Sequence, residues 1–343
     1  MNLFQRKPES LLFLGLLLTI VLFCSFSTNR GTAFDSRGGV SQQESDDVPV
    51  IGWFHLNDTM KYWVHYTKWS IMGVDTVMKG GVSTKFMLTV TDSTKTRYKF
   101  EYKILDVKYI DPPKSQTQDI MEEIVETMSS SRIGSTIKFT TNEFGSFVKV
   151  DNYNDLKNQV KEQTNNFIEI ALPKLKESSP SLSLEEKDLR EMMSPDVMIE
   201  GELSNIKLMF ALHGSFFPIG QSNPVQENSE YESDFSLEAW TDEESGIYGV
   251  DMYESTRIPL EYLVDKISEL IDMMAKNHKL DKDVIANIFS NKDIQKSAKN
   301  KQGIYYTFYP DGWPMTITSV NGLTIGPATN LKQKYIVLDR PEQ

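Results

Sequence analysis

A single cysteine, Cys24, occurs in 343 residues, and it lies inside an uncharged apolar segment. An internal disulfide and a cysteine-ligated metal centre are therefore excluded, and removal of that segment would leave no thiol at all. Histidine is nearly as scarce. His55, His65, His213 and His278 show no H-x-x-x-H or H-E-x-x-H spacing, which would place two ligands on one helical face. Gly-rich phosphate loops, a Walker sequence and a G-x-S-x-G elbow are also missing. Nucleotide hydrolysis, dinucleotide redox and acyl transfer by an elbow serine thus lack their usual geometry, and no cofactor is expected. Positive charge is in deficit: 36 Lys and Arg against 48 Asp and Glu give a net charge of −12, which opposes a phosphate backbone or an anionic membrane surface as partner.

Apolar material is plentiful, at 39% of the chain with 18 Phe, 14 Tyr and 5 Trp, enough to bury a sizeable core. At the start, Arg6 and Lys7 precede the charge-free run LLFLGLLLTIVLFCSF from Leu11 to Phe26. This layout predicts a secretory signal over residues 1–27, or a signal anchor if it is retained. A lipid-modified Cys24 is disfavoured by the bulky Phe23 before it. Residues 28–50, rich in Gly, Ser, Gln and Asp, read as a flexible tether. The expected location is the periplasm or cell envelope, with membrane contact only through the N-terminal segment.

Beyond residue 50 the dominant period is two. Phe86, Leu88 and Val90 alternate with polar neighbours, as do Tyr98, Phe100, Tyr102 and Ile104, and the apolar phase then slips to Leu105, Val107 and Tyr109. Such strands have one wet face, and the slip predicts a bulge near Ile104. Gly80-Gly81 reads as a turn. Two short strands, 136–140 and 146–150, make a hairpin around Gly145. A long helix is predicted from the stripe Leu156, Val160, Phe167, Ile168, Ala171, Leu172 and Leu175, and another from Ser194-Pro195 followed by Ile199, Leu203, Ile206 and Phe210. Strands near 231–240 and 247–254, helices over 260–274 and 281–299, and a hairpin 303–309/313–319 complete the chain. The expected fold is α+β: curved antiparallel sheet covered on one face by amphipathic helices, in two strand-strand-helix-hairpin pseudo-repeats. The halves are 51–212, with its connecting helices, and 213–343.

The segments TIKFTTNEFGSFVKVDN (136–152), FALHGSFFPIG (210–220) and GIYYTFYPDGWPMTIT (303–318) resemble stretches of uncharacterised secreted and envelope proteins of Bacteroidota. The resemblance implies location and architecture and carries no catalytic residue. It also makes Asp58-Thr59-Met60, Asp75-Thr76-Val77 and Asp92-Ser93-Thr94 similar to the O-glycosylation acceptor pattern of those bacteria.

Among candidate sites, the aromatic set is the most distinctive. Trp63, His65 and Trp69 share one alternating face, with Trp53 just upstream, and could line a groove for a sugar or an acyl chain. Tyr62, Val64 and Tyr66 oppose them, so a central strand buried on both faces explains the same pattern. Asp242-Glu243-Glu244 reads as a solvated turn or a Ca²⁺ cluster. The function expected is a non-catalytic binding or structural module of the envelope, its partner an unidentified envelope component or protein. A carrier of a lipid or lipidated peptide between sheet and helices is the alternative, and a carboxylate-dependent hydrolase the third reading.

Overall fold

The computed structural model describes residues 47–72, 74–110, 132–178, 186–222, 232–259, 297–325 and 328–339. The N-terminal signal, the helix expected over 260–274 and a helix that Ile120, Ile124, Val125 and Met128 would form by their helical spacing lie outside these residues. So does nearly all of the helix expected over 281–299; its last three residues are strand.

Strands β1 (Asp47–Val50), β2 (Thr59–Met72), β3 (Asp75–Thr94), β4 (Arg97–Ile110), β5 (Thr136–Asn142) and β6 (Phe147–Val150) precede three helices. These are α1 (Tyr153–Ser178), α2 (Glu186–Met192) and α3 (Pro195–Met209). Seven strands follow: β7 (Ser215–Pro218), β8 (Gly220–Ser222), β9 (Ser233–Thr241), β10 (Tyr248–Pro259), β11 (Ser297–Phe308), β12 (Pro314–Ile325) and β13 (Ala328–Leu338). Eleven of them form one antiparallel sheet in the order β6-β5-β4-β3-β2-β13-β12-β11-β10-β9-β8, and β1 pairs with β7 in a separate ribbon. Both expected halves thus share a single sheet. Each contributes a meandering arm, and the arms join where β2 pairs with β13 along Tyr62–Met72.

The sheet curls on itself. From β5 to β11 there are six steps in the strand order, roughly 29 Å if flat at about 4.8 Å per step. Yet Phe210 stands 5.5 Å from Phe139 on β5 and 5.2 Å from His213, which in turn is 5.7 Å from Phe308 on β11 (ring centroids). Residues of β2, β3, β4, β5, β9, β10, β11, β12 and β13 enter one continuous core, including Tyr62, Phe86, Phe100, Phe139, Leu237, Val250, Tyr306, Ile317 and Ile336. The bulge expected near Ile104 is present: the register shifts between Lys85 and Phe86, which face Asp106 and Ile104, leaving Leu105 as the extra residue. Bulges of this kind bend a strand and admit curvature.

This mainly β architecture corrects the expected α+β layering, and the reason is how the dry face finds its cover. Curling lets the sheet bury its own inner face around α3, whose Ile199, Leu203, Ile206 and Met209 are buried in the core. The long helix α1 buries Leu156, Phe167 and Ile168 of its stripe, but it packs chiefly against α3, and its main contact with the sheet is at β5. Leu156 joins the core, whereas Phe167 and Ile168 are buried outside it. The pseudo-repeats are corrected as well, since the strands of both halves belong to one sheet and, among the described residues, no helix layer spreads over a sheet of its own. Gly80-Gly81 is not a turn: both residues lie within β3, where a register shift opposite Lys68 and Trp69 marks a bulge and Gly80 takes φ 122°. A Cβ on Gly81 would stand 2.3 Å from the Tyr66 carbonyl oxygen, so only glycine fits there.

One end of the curled sheet is sealed. Residues 51–58 cross it and tie the turns together: Gly52 N–H donates to Phe144 O, Trp53 N–H to Asp311 O, and Ser93 Oγ–H to Phe54 O. Gly312, at φ 82°, lets the β11–β12 turn approach so closely that a Cβ would lie 2.3 Å from Ile51 O. Residues 47–50, expected as part of the tether, are strand β1, with Val48 and Val50 fully buried.

Candidate functional site: the inner face of the sheet

Side-chain alternation separates the inner face of every strand from the outer one. On β2 the buried Tyr62 and Val64 fix the inward phase, which continues to Tyr66 and Lys68. The register carries that phase across the sheet. On β13 it holds Ile336, Lys334 and Lys332; on β12, Ile317, Ser319, Asn321 and Leu323; on β11, Tyr306, Ile304 and Gln302. On β10 it holds Val250, Met252 and Glu254, and on β3 and β4, Thr84 and Val82 with Val107 and Tyr109. Toward the sealed end these positions are buried and almost wholly apolar. Toward the other end they are half-buried and mix apolar, amide, hydroxyl and charged groups.

The most unusual part of this lining is cationic. Lys68 and Lys332 are directly opposed on β2 and β13, and Lys334 follows two residues along on the same face. Cross-strand neighbours of like charge repel each other. Burial and the charge of Lys332 hold the Lys68 ammonium down at about 8. Burial holds Lys334 at about 8 as well, against an opposing pull from Glu202, and burial lowers Lys332. Helix α3 supplies the facing groups. Ser204 Oγ accepts from Lys334 Nζ at 3.0 Å, and Glu202 pairs with Arg132 through Oε1. The other Glu202 oxygen is buried and accepts no hydrogen bond among the described residues. Lys68 Nζ also lies 5.8 Å from the centroid of the Tyr66 ring.

Of the residues proposed from sequence, Trp63, His65 and Trp69 do share one face of β2, but it is the outer face, away from the core. They are half-buried, so the strand is central without being covered on both sides. Trp63 stacks on His65 at 5.9 Å, and His65 in turn lies 6.3 Å from Tyr335 of β13. The ammonium groups of Lys85 and Lys108 sit 5.3 and 5.1 Å from the Trp63 ring, whose Nε1–H donates to Asp339. His65 Nδ1 is 2.7 Å from Ser83 Oγ, and burial lowers its basicity. Trp69 donates Nε1–H to Thr67 Oγ1. Trp53 is apart from this row, 61% exposed on the segment crossing the sealed end.

The acidic triplet closes a tight β9–β10 turn: Asp242 accepts from Ser245 Oγ and Glu244 N–H, and those bonds keep its carboxyl below the usual range. Asp251 and Glu238 face each other on β10 and β9 on the outer side, where burial first and Glu238 second raise the Asp251 carboxyl. Among the described residues no three His, Cys, Asp or Glu side chains gather as metal ligands. Sequence reasoning passed over the three inner lysines. The available signal was phase: Lys332 and Lys334 alternate in step with Ile336, which reads as a buried position.

The sequence matches no protein-family model and no curated protein sequence. Among solved structures, the chain is similar to a lipovitellin described for its lipid–protein interactions, at 9% identity and a TM-score of 0.36, over 84% of this chain and 26% of that one. It therefore spans about a quarter of the lipovitellin chain. A second similarity, to an outer membrane channel from Pseudomonas putida F1, has 8% identity and a TM-score of 0.12, over 88% of this chain and all of the other. No helix among the described residues is long and apolar enough to cross a membrane.

Proposed function

We propose that this chain is an exported, non-catalytic binding protein that carries an amphiphile against the inner face of its sheet, in the half away from the sealed end. One observation carries the reading. The same inner face is packed solid at the sealed end, yet toward the other end Val82, Val107, Met252, Ile304 and Leu323 are half-buried beside amides, hydroxyls and ammonium groups. A surface that is apolar and polar in patches suits a ligand with both characters. Export rests on Arg6, Lys7 and the apolar stretch 11–26; recovery of the full-length chain free in the cytoplasm of its host would remove that part.

Delipidated protein titrated with the fluorescent fatty acid cis-parinaric acid is expected to bind it saturably. Ile304→Glu, which places a carboxylate on the inner face, should weaken binding by about tenfold or more, equivalent to about 1.4 kcal/mol. Tyr305→Glu, one residue along and 41% exposed on the outer face, should leave it unchanged. Linear, non-saturating fluorescence, or equal loss in both variants, would sink the reading.

A further inference from the structure

We infer that Lys68, Lys332 and Lys334 are the receptor for the ligand's headgroup, and that the ligand is therefore an acidic single-chain amphiphile, a carboxylate or phosphate rather than a neutral or zwitterionic lipid. The inference rests on the carrier reading and adds the ligand class to it.

The placement of the three side chains carries the argument. They occupy consecutive inward positions on two adjacent strands, β2 and β13, with Lys68 and Lys332 paired across the ladder. β2 and β13 are also where the two arms of the sheet meet, so this cationic patch lies on the midline of the inner face. Apolar side chains flank it on either arm: Val82 and Val107 on one, Ile304 and Leu323 on the other. A headgroup on the midline would leave its hydrocarbon chain against these neighbours. Helix α3 closes one side, and its Ser204 already fixes Lys334 by a 3.0 Å hydrogen bond, so this ammonium is oriented before any ligand arrives. Glu202 pairs with Arg132 through Oε1 only, and its charge also acts on Lys334, so an incoming anion must add to that pull. Burial weakens the hold of Lys68 and Lys334 on their protons, to about 8, with the charge of Lys332 adding to it at Lys68 and Glu202 opposing it at Lys334, and an incoming anion offsets the cost of burial. Charge-assisted hydrogen bonds from ammonium to carboxylate or phosphate are short and strong, and they gain where water is scarce.

The test compares three ligands of identical oleoyl chain, namely oleate, oleoyl lysophosphatidate and 1-monooleoylglycerol, by displacement of a bound fluorescent probe. The parent should bind both acids at least about tenfold more tightly than the neutral glyceride. In the triple variant Lys68→Gln, Lys332→Gln, Lys334→Gln the preference should fall to within about threefold, with glyceride affinity kept. The triple Lys→Arg variant should retain the preference. Glyceride binding also reports folding, and the half-buried positions Lys68→Gln and Lys332→Gln, made singly, should each lower the preference if the triple variant fails to fold. Equal affinity of the parent for acid and glyceride would overturn the headgroup receptor and leave the carrier reading standing. An unchanged preference in the Gln variants would do the same. Failure of all three ligands to bind would overturn both. Displacement of oleate by millimolar inorganic phosphate alone would show a site for free anions, and would also overturn the headgroup assignment.

Discussion

Acidification from pH 6.5 to pH 4 is expected to remove about 3 kcal/mol of folding stability through His213 alone. This imidazole lies in the sealed end of the sheet, 3% exposed, with the rings of Phe54, Phe210 and Phe308 within 5.8 Å of its centroid. Its Nε2–H donates to Gly312 O at 2.9 Å, since a carbonyl can only accept. Nδ1 therefore holds the lone pair, and it is buried with no hydrogen-bond partner among the described residues. A proton added there would create a cation among aromatic rings, and burial accordingly lowers His213 from 6.5 to about 4. The sign follows. Between those two values the unfolded chain takes up the proton and the folded one does not, so this contribution of His213 is complete above about pH 6.5, erodes as pH falls, and is lost below about pH 4. Urea unfolding at pH 7, 5.5 and 4 measures it. His213→Gln keeps an N–H donor for Gly312 and cannot titrate, so its loss over the same interval should be smaller than the parent's by about 3 kcal/mol. Parallel pH profiles for parent and variant would show that another group controls acid unfolding.

His213 also illustrates what could be read from the sequence and what could not. Its isolation from other histidines excluded a paired metal motif, and the β11–β12 turn that receives its hydrogen bond was legible as Pro310-Asp311-Gly312. Their meeting was not, because 99 residues separate the donor from the acceptor. Strand positions were recovered wherever one face alternates cleanly, as in Tyr98–Ile104, and the phase slip at Leu105 correctly announced a bulge. Recognition failed where inward positions are polar. β13 was missed because Lys332 and Lys334 interrupt its apolar phase, and the first half of β3 because Gly80-Gly81 imitates a turn. Leu156, Phe167 and Ile168 of the stripe on α1 are buried, but a stripe states only that a helix has a buried side. Here α3, more than the sheet, covers it. The aromatic row on β2 was likewise real, and its orientation toward the outer face depends on strand pairing with β13, which no local pattern encodes.

The largest loss from one substitution is expected at Phe54, about 3 to 5 kcal/mol on replacement by alanine. Phe54 belongs to no strand, yet it is 3% exposed and joins the sealed end's parts through its ring. Tyr98 and Phe100 of β4 lie 5.2 and 5.3 Å away, Trp313 of the β11–β12 turn 4.7 Å, His213 5.8 Å and Phe210 6.1 Å. These neighbours come from opposite arms of the sheet. Removing the ring thus leaves a cavity whose walls are separate strands held by their own ladders, and such walls collapse poorly, which places the cost toward the upper part of the range. The backbone on either side is fixed by bonds to two turns and to Ser93 at the end of β3, so the segment cannot shift another apolar group into the gap without breaking them. Trp53 is the internal control. It is the larger side chain and was the one singled out by sequence, but at 61% exposure its replacement by alanine should change stability by no more than about 0.5 kcal/mol. Chemical denaturation of the two variants beside the parent decides the matter. If Trp53→Ala cost more than Phe54→Ala, the segment crossing the end of the sheet would be anchored through its outer side, and the inward ring would not be what holds the two arms together.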